Sequence, residues 1–104
     1  MIDILHRESG EVLEQVEAGT LQGADLRERR LAGADLAGRD LRHADLQHTD
    51  LRHADLRGAN LEGAYLRNAN LRGASLEGAD LRRTNLNEAK LEGANMDGAN
   101  MGRD

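Results

Sequence analysis

The 104-residue chain has no cysteine, no proline, no tryptophan and no phenylalanine, and Tyr65 is its single tyrosine. Without cysteine there is no disulfide, no thiolate zinc site and no cysteine nucleophile. The chain therefore suits a reducing compartment, and a cytoplasmic location is expected. Without aromatic bulk, any core has to be built from aliphatic side chains, in a chain short enough that a staple is often needed. Without proline, the backbone amides stay available to pair with neighbouring segments. No apolar run approaches the ~20 residues that cross a bilayer as a helix. The opening Met1-Ile-Asp-Ile-Leu-His has no basic stretch followed by an apolar one, so neither a signal peptide nor membrane attachment is expected.

Charge is present but unevenly placed. The formal net charge is −5. Asp3, Glu8, Glu11, Glu14 and Glu17 stand against Arg7 in the opening segment, which leaves the remainder close to neutral.

What the chain has in abundance is a period. Leucine occupies every fifth position from Leu21 to Leu91, and Met96 and Met101 continue the series. Two residues earlier the chain places Ala, as at Ala44, Ala54 and Ala59, with Arg29, Arg39, Thr49 and Thr84 as exceptions. Asp or Asn mostly precedes the leucine, and Gly often falls two residues after it. On an α-helix a step of five turns ~140°, so the leucines would walk around the cylinder and leave no apolar stripe. On a flat strand five is odd, and successive leucines would point to opposite faces. A chain that bends once per five residues resolves both conflicts. Each short extended piece points Ala and Leu inward, two apart, and the glycine eases the corner. Residues 19–104 are thus expected to form a parallel β-helix, with 1–18 as a separate capping segment.

The Ala-(Asp/Asn)-Leu-x-x tandem resembles the pentapeptide-repeat family over most of the chain. The resemblance implies an all-β fold, a right-handed quadrilateral parallel β-helix with four pentapeptides to the coil. On that basis 19–38, 39–58, 59–78 and 79–98 are coils and 99–104 begins another. At an interstrand spacing of ~4.8 Å the body would be ~20 Å tall. Residues twenty apart would stack, and residues five apart would lie on different faces.

Both ends of such a solenoid need attention. Ile2, Ile4 and Leu5, then Gly10, then Val12, Leu13 and Val16 suggest an antiparallel hairpin as the N-terminal cap. A helix over 11–18 is the rival, since the second apolar group also fits helical spacing. Arg29 and Arg39 interrupt the inward Ala series, and a buried unpaired guanidinium would cost several kcal/mol. They are expected to reach the hairpin and pair with Glu14, Glu17 or backbone carbonyls. No comparable cap follows the repeats, so Leu86, Leu91, Met96 and Met101 are expected to be open and to be covered by a second copy stacked end to end. Tyr65 replaces Asp or Asn at its place and is a candidate contact anchor.

The tempting chemical motifs disperse under this geometry. His43, His48 and His53 would sit at successive corners and cannot converge within the ~2.1 Å bonds that zinc requires. Asp35, Asp40, Asp45 and Asp50 would lie on four faces, with Asp55 returning above Asp35, so no pair can divide acid and base roles across a cleft. No nucleophile–base arrangement, phosphate-binding loop or dinucleotide fingerprint is present. No catalytic, cofactor-binding or metal-ligating residue is assigned, and an enzyme is not expected. Opposite charges twenty apart, Arg42–Glu62–Arg82, Arg57–Glu77 and Arg72–Glu92, are expected to form ladders.

The resemblance carries one sharp activity. Some pentapeptide-repeat proteins look like B-form DNA in size and charge and occupy the DNA site of gyrase, conferring quinolone protection. That role needs a long rod of strong negative potential, and a near-neutral body of four coils fits it poorly. The leading expectation is a non-catalytic bacterial scaffold that binds another protein. Direct nucleic-acid binding is not expected, because no basic patch with interleaved aromatics is evident.

Overall fold

The computed structural model describes residues 1–102. From Asp25 onward, parallel bridges join residues twenty apart: Asp25 to Asp45, Asp45 to Tyr65 and Tyr65 to Asn85 in one column, Asp40 to Asn60 to Asp80 to Asn100 in another. Four such columns make a four-sided solenoid, and no described residue is helical. The faces are named below by their first leucine: Leu21, Leu26, Leu31 and Leu36.

The unit 46–50 shows why the five-residue motif has its composition. Leu46 N–H donates to Tyr65 O at 2.8 Å, His48 N–H to Arg67 O at 3.0 Å, and Asp50 N–H to Arg29 O at 3.0 Å, all along the ladder. Thr49 N–H closes the corner onto Leu46 O. That leaves the amide of Gln47, which donates to the Asp45 carboxylate at 3.2 Å. Buried or half-buried amides have to find partners. The residue before most of the leucines is Asp or Asn because its side chain accepts the one amide that the ladder misses, as in an Asx turn. The same bond recurs at Asp35, Asn60, Asn70, Asn85 and Asn95.

Each corner requires a positive φ at the second residue after the leucine, as in a type II turn. Glycine meets this at Gly23 (φ 70) and Gly78 (φ 68), but Glu28, His43, His48, His53, Asn68, Arg83 and Glu88 adopt it too, at φ 59 to 64. Four of these seven are His or Asn, which tolerate the left-handed region better than most residues.

The core is a stack of aliphatic rungs. The leucines from Leu26 to Leu76 are 0–1% exposed, with Ala34, Ala44, Ala54 and Ala59 fully buried between them. Each buried leucine contributes about 1.5–3 kcal/mol, against about 0–1 kcal/mol for an exposed ion pair. Packing therefore holds the rod, and charge tunes it. Thr49 is fully buried at an Ala place, where its hydroxyl donates to Leu26 O at 2.6 Å.

At the N-terminal end, β1 (Ile2–Leu5) pairs antiparallel with β2 (Val12–Val16), which excludes the helix over 11–18. The other edge of β1 continues onto the first coil: His6 bridges Ala34, Asp35 N–H donates to Leu5 O, and Arg7 N–H donates to Gly33 O. Ile4 is fully buried and joins the leucine core. Leu86, Leu91 and Met96 in the last coil are only half-buried, and Met101 is 52% exposed.

Candidate functional site

The outward residues on either side of each leucine share one side of the strand, because side chains alternate. This brings together Asp and Arg two apart, as in Asp25-Leu26-Arg27. The pairs Asp40–Arg42, Asp50–Arg52, Asp55–Arg57 and Asp80–Arg82 close at 2.7 Å, and Arg27 Nε lies 3.0 Å from Asp25. Each carboxylate thus holds an amide and a guanidinium at once. The Arg27 and Arg42 hydrogen bonds hold the Asp25 and Asp40 carboxyls down at about 2. Arg52, Arg57 and Arg82 likewise depress Asp50, Asp55 and Asp80.

These pairs within a unit compete with the expected ladders. Arg82–Glu62 and Arg72–Glu92 do form, each at 3.5 Å, and Arg83 also binds Glu62. Arg42 and Arg57 turn instead to Asp40 and Asp55, which are nearer along their own strands. The Asp-Leu-Arg triplets carry that signal in the sequence, since strand alternation alone places first and third residues side by side.

The remaining candidates fall in separate places. Tyr65 is 49% exposed on the Leu26 face, between Asp45 and Asn85. Leu86, Leu91, Met96 and Met101 follow one another around the last coil, far along the axis from the hairpin. Arg29 reaches Glu14 in β2 at 3.4 Å, as expected. Arg39 does not: it is exposed, beside a shallow groove lined by Ile2, Gly19 and Thr20, with no ion pair among the described residues. The ladder is unbroken at both, as Asp50 N–H donates to Arg29 O and Asn60 N–H to Arg39 O. At this end the inward place opens over the first coil, so a long side chain can leave without distorting the backbone. The histidines at 43, 48 and 53 occupy three different corners, and no group of side chains able to hold a metal forms among the described residues.

The faces differ in charge. The Leu31 face carries Arg30, Arg52, Arg72 and Lys90 against Asp50 and Glu92. Its neighbours are acidic: Asp25, Glu28, Asp45 and Glu88 against Arg27 and Arg67 on the Leu26 face, and Asp35, Asp55, Glu77 and Asp97 against Arg57 on the Leu36 face. Above the Leu31 face the hairpin turn overhangs a cleft of about 460 Å³ lined by His6, Arg7, Glu8, Ala32, Gly33, Arg52 and His53. Arg7 Nη1 donates to His53 O at 3.2 Å, and the His6 ring lies over Gly33.

A filled solenoid with its chemistry confined to the outer faces defines a repeat protein of the β-helix class. The Pentapeptide repeats family matches residues 20–58 and 64–103 in 8 copies, and the chain belongs to this family, with its right-handed quadrilateral β-helix. Proteins of the family are generally structural or binding scaffolds. A pentapeptide repeat protein (Rfr23) from the cyanobacterium Cyanothece 51142 is 39% identical, with a TM-score of 0.53, covering 84% of this chain and 63% of its own. A second, from Nostoc Pcc 7120, is 41% identical with a TM-score of 0.41, covering 67% of this chain and 62% of its own. QnrB1, a plasmid-mediated fluoroquinolone resistance protein, is 22% identical with a TM-score of 0.37, covering 91% of this chain and 48% of its own. The chain therefore spans less than two thirds of the length of each. No curated protein matches it.

Proposed function

We propose that this chain is a non-catalytic scaffold of the bacterial cytoplasm that binds another protein through its outer surface. The division between interior and surface supports this most. Leucine and alanine fill the inside, and five of the outward aspartates are held by arginines of their own unit. Acid–base work needs groups that converge on a substrate, whereas rigid, patterned faces suit recognition. Immobilised chain is expected to retain a defined protein saturably from bacterial lysate; retention of nothing at any salt concentration would count against the reading.

The half-buried rungs of the last coil support one further element. Leu86, Leu91 and Met96 are covered, in our reading, by a second copy stacked end to end. Sedimentation at hundreds of micromolar should give a dimer, and a strictly monomeric mass overturns it. The alternative, a DNA mimic that binds gyrase, draws on the acidic Leu26 and Leu36 faces but is opposed by the basic face between them. Inhibition of gyrase supercoiling, or quinolone protection, at stoichiometric protein would replace the scaffold reading with that one.

A further inference from the structure

We propose that the Leu31 face, from the cleft under the hairpin turn down to Lys90, docks an extended acidic segment of a partner protein. This rests on the protein-binding reading and names the partner's chemistry and the surface it uses.

Three features meet there. The first is charge: among the described residues this face carries four cations against two anions and lies between two acidic faces, so an anionic chain is guided along a narrow track. The second is a departure from the rule that builds the rod. Arg30 and Lys90 stand in the column where Asp50 and Asn70 accept the amides of Arg52 and Arg72. At Arg30 that acceptor is given up, and the amide of Ala32 has no partner among the described residues. Both cations are exposed, and neither is in an ion pair among those residues. Local rules tend to be broken where function requires it. The third is shape. Ala32 stands where Arg52 and Arg72 stand in the next two coils, and with Gly33 beside it the first coil leaves room for the cleft. A carboxylate seated in that cleft meets Arg7, the open Ala32 amide and Arg52, which Asp50 holds in place, donors that outnumber the one acid on the wall, Glu8.

The dimensions select a peptide over a nucleic acid. Arg30 to Lys90 crosses three rungs, ~14 Å at ~4.8 Å each, the length of four or five extended residues at ~3.3 Å. A duplex is much wider than one face and would overhang the acidic Leu26 and Leu36 faces on both sides. The face has no tyrosine, tryptophan or phenylalanine to offer a base a broad stacking platform, since Tyr65 belongs to the Leu26 face.

The test is a fluorescence-anisotropy titration of the full chain with a labelled Glu- and Asp-rich peptide, at low salt and again at about 150 mM. Saturable binding that weakens with salt is expected. Combining Arg30→Glu with Lys90→Glu should weaken it about tenfold or more, while Arg27→Glu with Arg67→Glu, an equal charge change on the Leu26 face, should shift it less than about threefold. Circular dichroism confirms that each variant is folded, and Arg30→Gln with Lys90→Gln repeats the test without reversing charge. No saturable binding, or equal loss in the Leu26-face control, overturns the proposal. So does tighter binding of a DNA duplex or of anionic vesicles, or a salt-sensitive increase in mass showing that the acidic hairpin of a second copy occupies the face. Peptide failure with a protein still retained from lysate sinks this inference alone; failure of both sinks the scaffold reading as well.

Discussion

The first and last coils are built from the same pentapeptide yet differ in how well they are packed. Leu21, Leu26, Leu31 and Leu36 are 0–3% exposed under the hairpin, whereas Leu86, Leu91 and Met96 remain half-buried, with no further complete coil among the described residues. The motif decides which side chains point inward, but a neighbouring layer decides whether they are dry. In a solenoid each coil contacts only the next, so stability is close to a sum of local terms and interface terms. At one end the interface term is supplied by Ile4 and the edge of β1, and at the other it is missing from the described residues.

The strongest way to sharpen that contrast is to delete the same side chain in the middle and at the open end. Leu51→Ala removes a fully buried leucine between two coils and should cost about 3–4 kcal/mol, whereas Leu91→Ala should cost about 1–2 kcal/mol. Urea melts followed by far-ultraviolet circular dichroism measure both. Equal losses would mean that the last coil is as tightly held as the centre, and would point to a cover such as a second copy. Next in size is Ile4→Ala, which thins the plug without touching the repeats and should cost about 2–3 kcal/mol. Amide exchange at Leu26 and Leu31 should then rise toward the rates of the last coil; protection confined to its original level there would show that β1 pairing alone caps the end.

Both of those expectations follow from sequence order, and much of the fold was legible in the same way. Leu-to-Leu spacing and the alternating Ala set the inward face, and Gly10 between two apolar groups marked the hairpin. The Asp–Arg pairs were equally within reach, because Asp50 and Arg52 are first and third residues of one strand segment. Coil stacking relates residues twenty apart, whereas these pairs stand two apart along one strand. The basic face was harder, since Arg30, Arg52, Arg72 and Lys90 are scattered in linear order and meet only once the coil length is applied to positions on both sides of the leucine. The cleft was not legible. It depends on which edge β1 chooses, and the pairing of His6 with Ala34 is a tertiary contact that no local pattern specifies.

A smaller effect separates two corner glycines. Gly33 and Gly93 stand in one column at φ 73 and 76, so an added Cβ is disfavoured at both by about 1–2 kcal/mol. At Gly33 the new carbon would also run into His6 Nε2, whereas at Gly93 the nearest atom is 3.7 Å away, on Gly73. Gly33→Ala should therefore destabilise the chain more than Gly93→Ala, and adding His6→Ala should remove most of the excess. A double variant no better than Gly33→Ala alone would show that the imidazole, which accepts the Glu8 and Ser9 amides, contributes as much to the turn as its clash costs.

Acid should give the smallest and most localised change. Asp25 and Asp40 titrate at about 2 in the folded chain because Arg27 and Arg42 bind their charged forms, against about 3.9 in an unfolded one. A carboxyl whose folded value is depressed contributes stability that is fully present above the unfolded value and is lost as pH falls through the folded one. The chain should therefore weaken between about pH 4 and pH 2, modestly, because these pairs are exposed and salt-screened. The loss should also be uneven along the axis. Arginine-bound aspartates occur at Asp25, Asp40, Asp50, Asp55 and Asp80, but after Arg82 the amide-accepting places are Asn85, Asn95 and Asn100, which do not titrate in this range. Exchange rates corrected for intrinsic pH dependence should rise at the amides of Arg27, Arg42 and Arg52, which donate to those carboxylates, and stay flat at Asn87 and Asp97. A uniform rise along all the coils would instead assign the acid loss to global unfolding, and the two ends would then differ in packing alone.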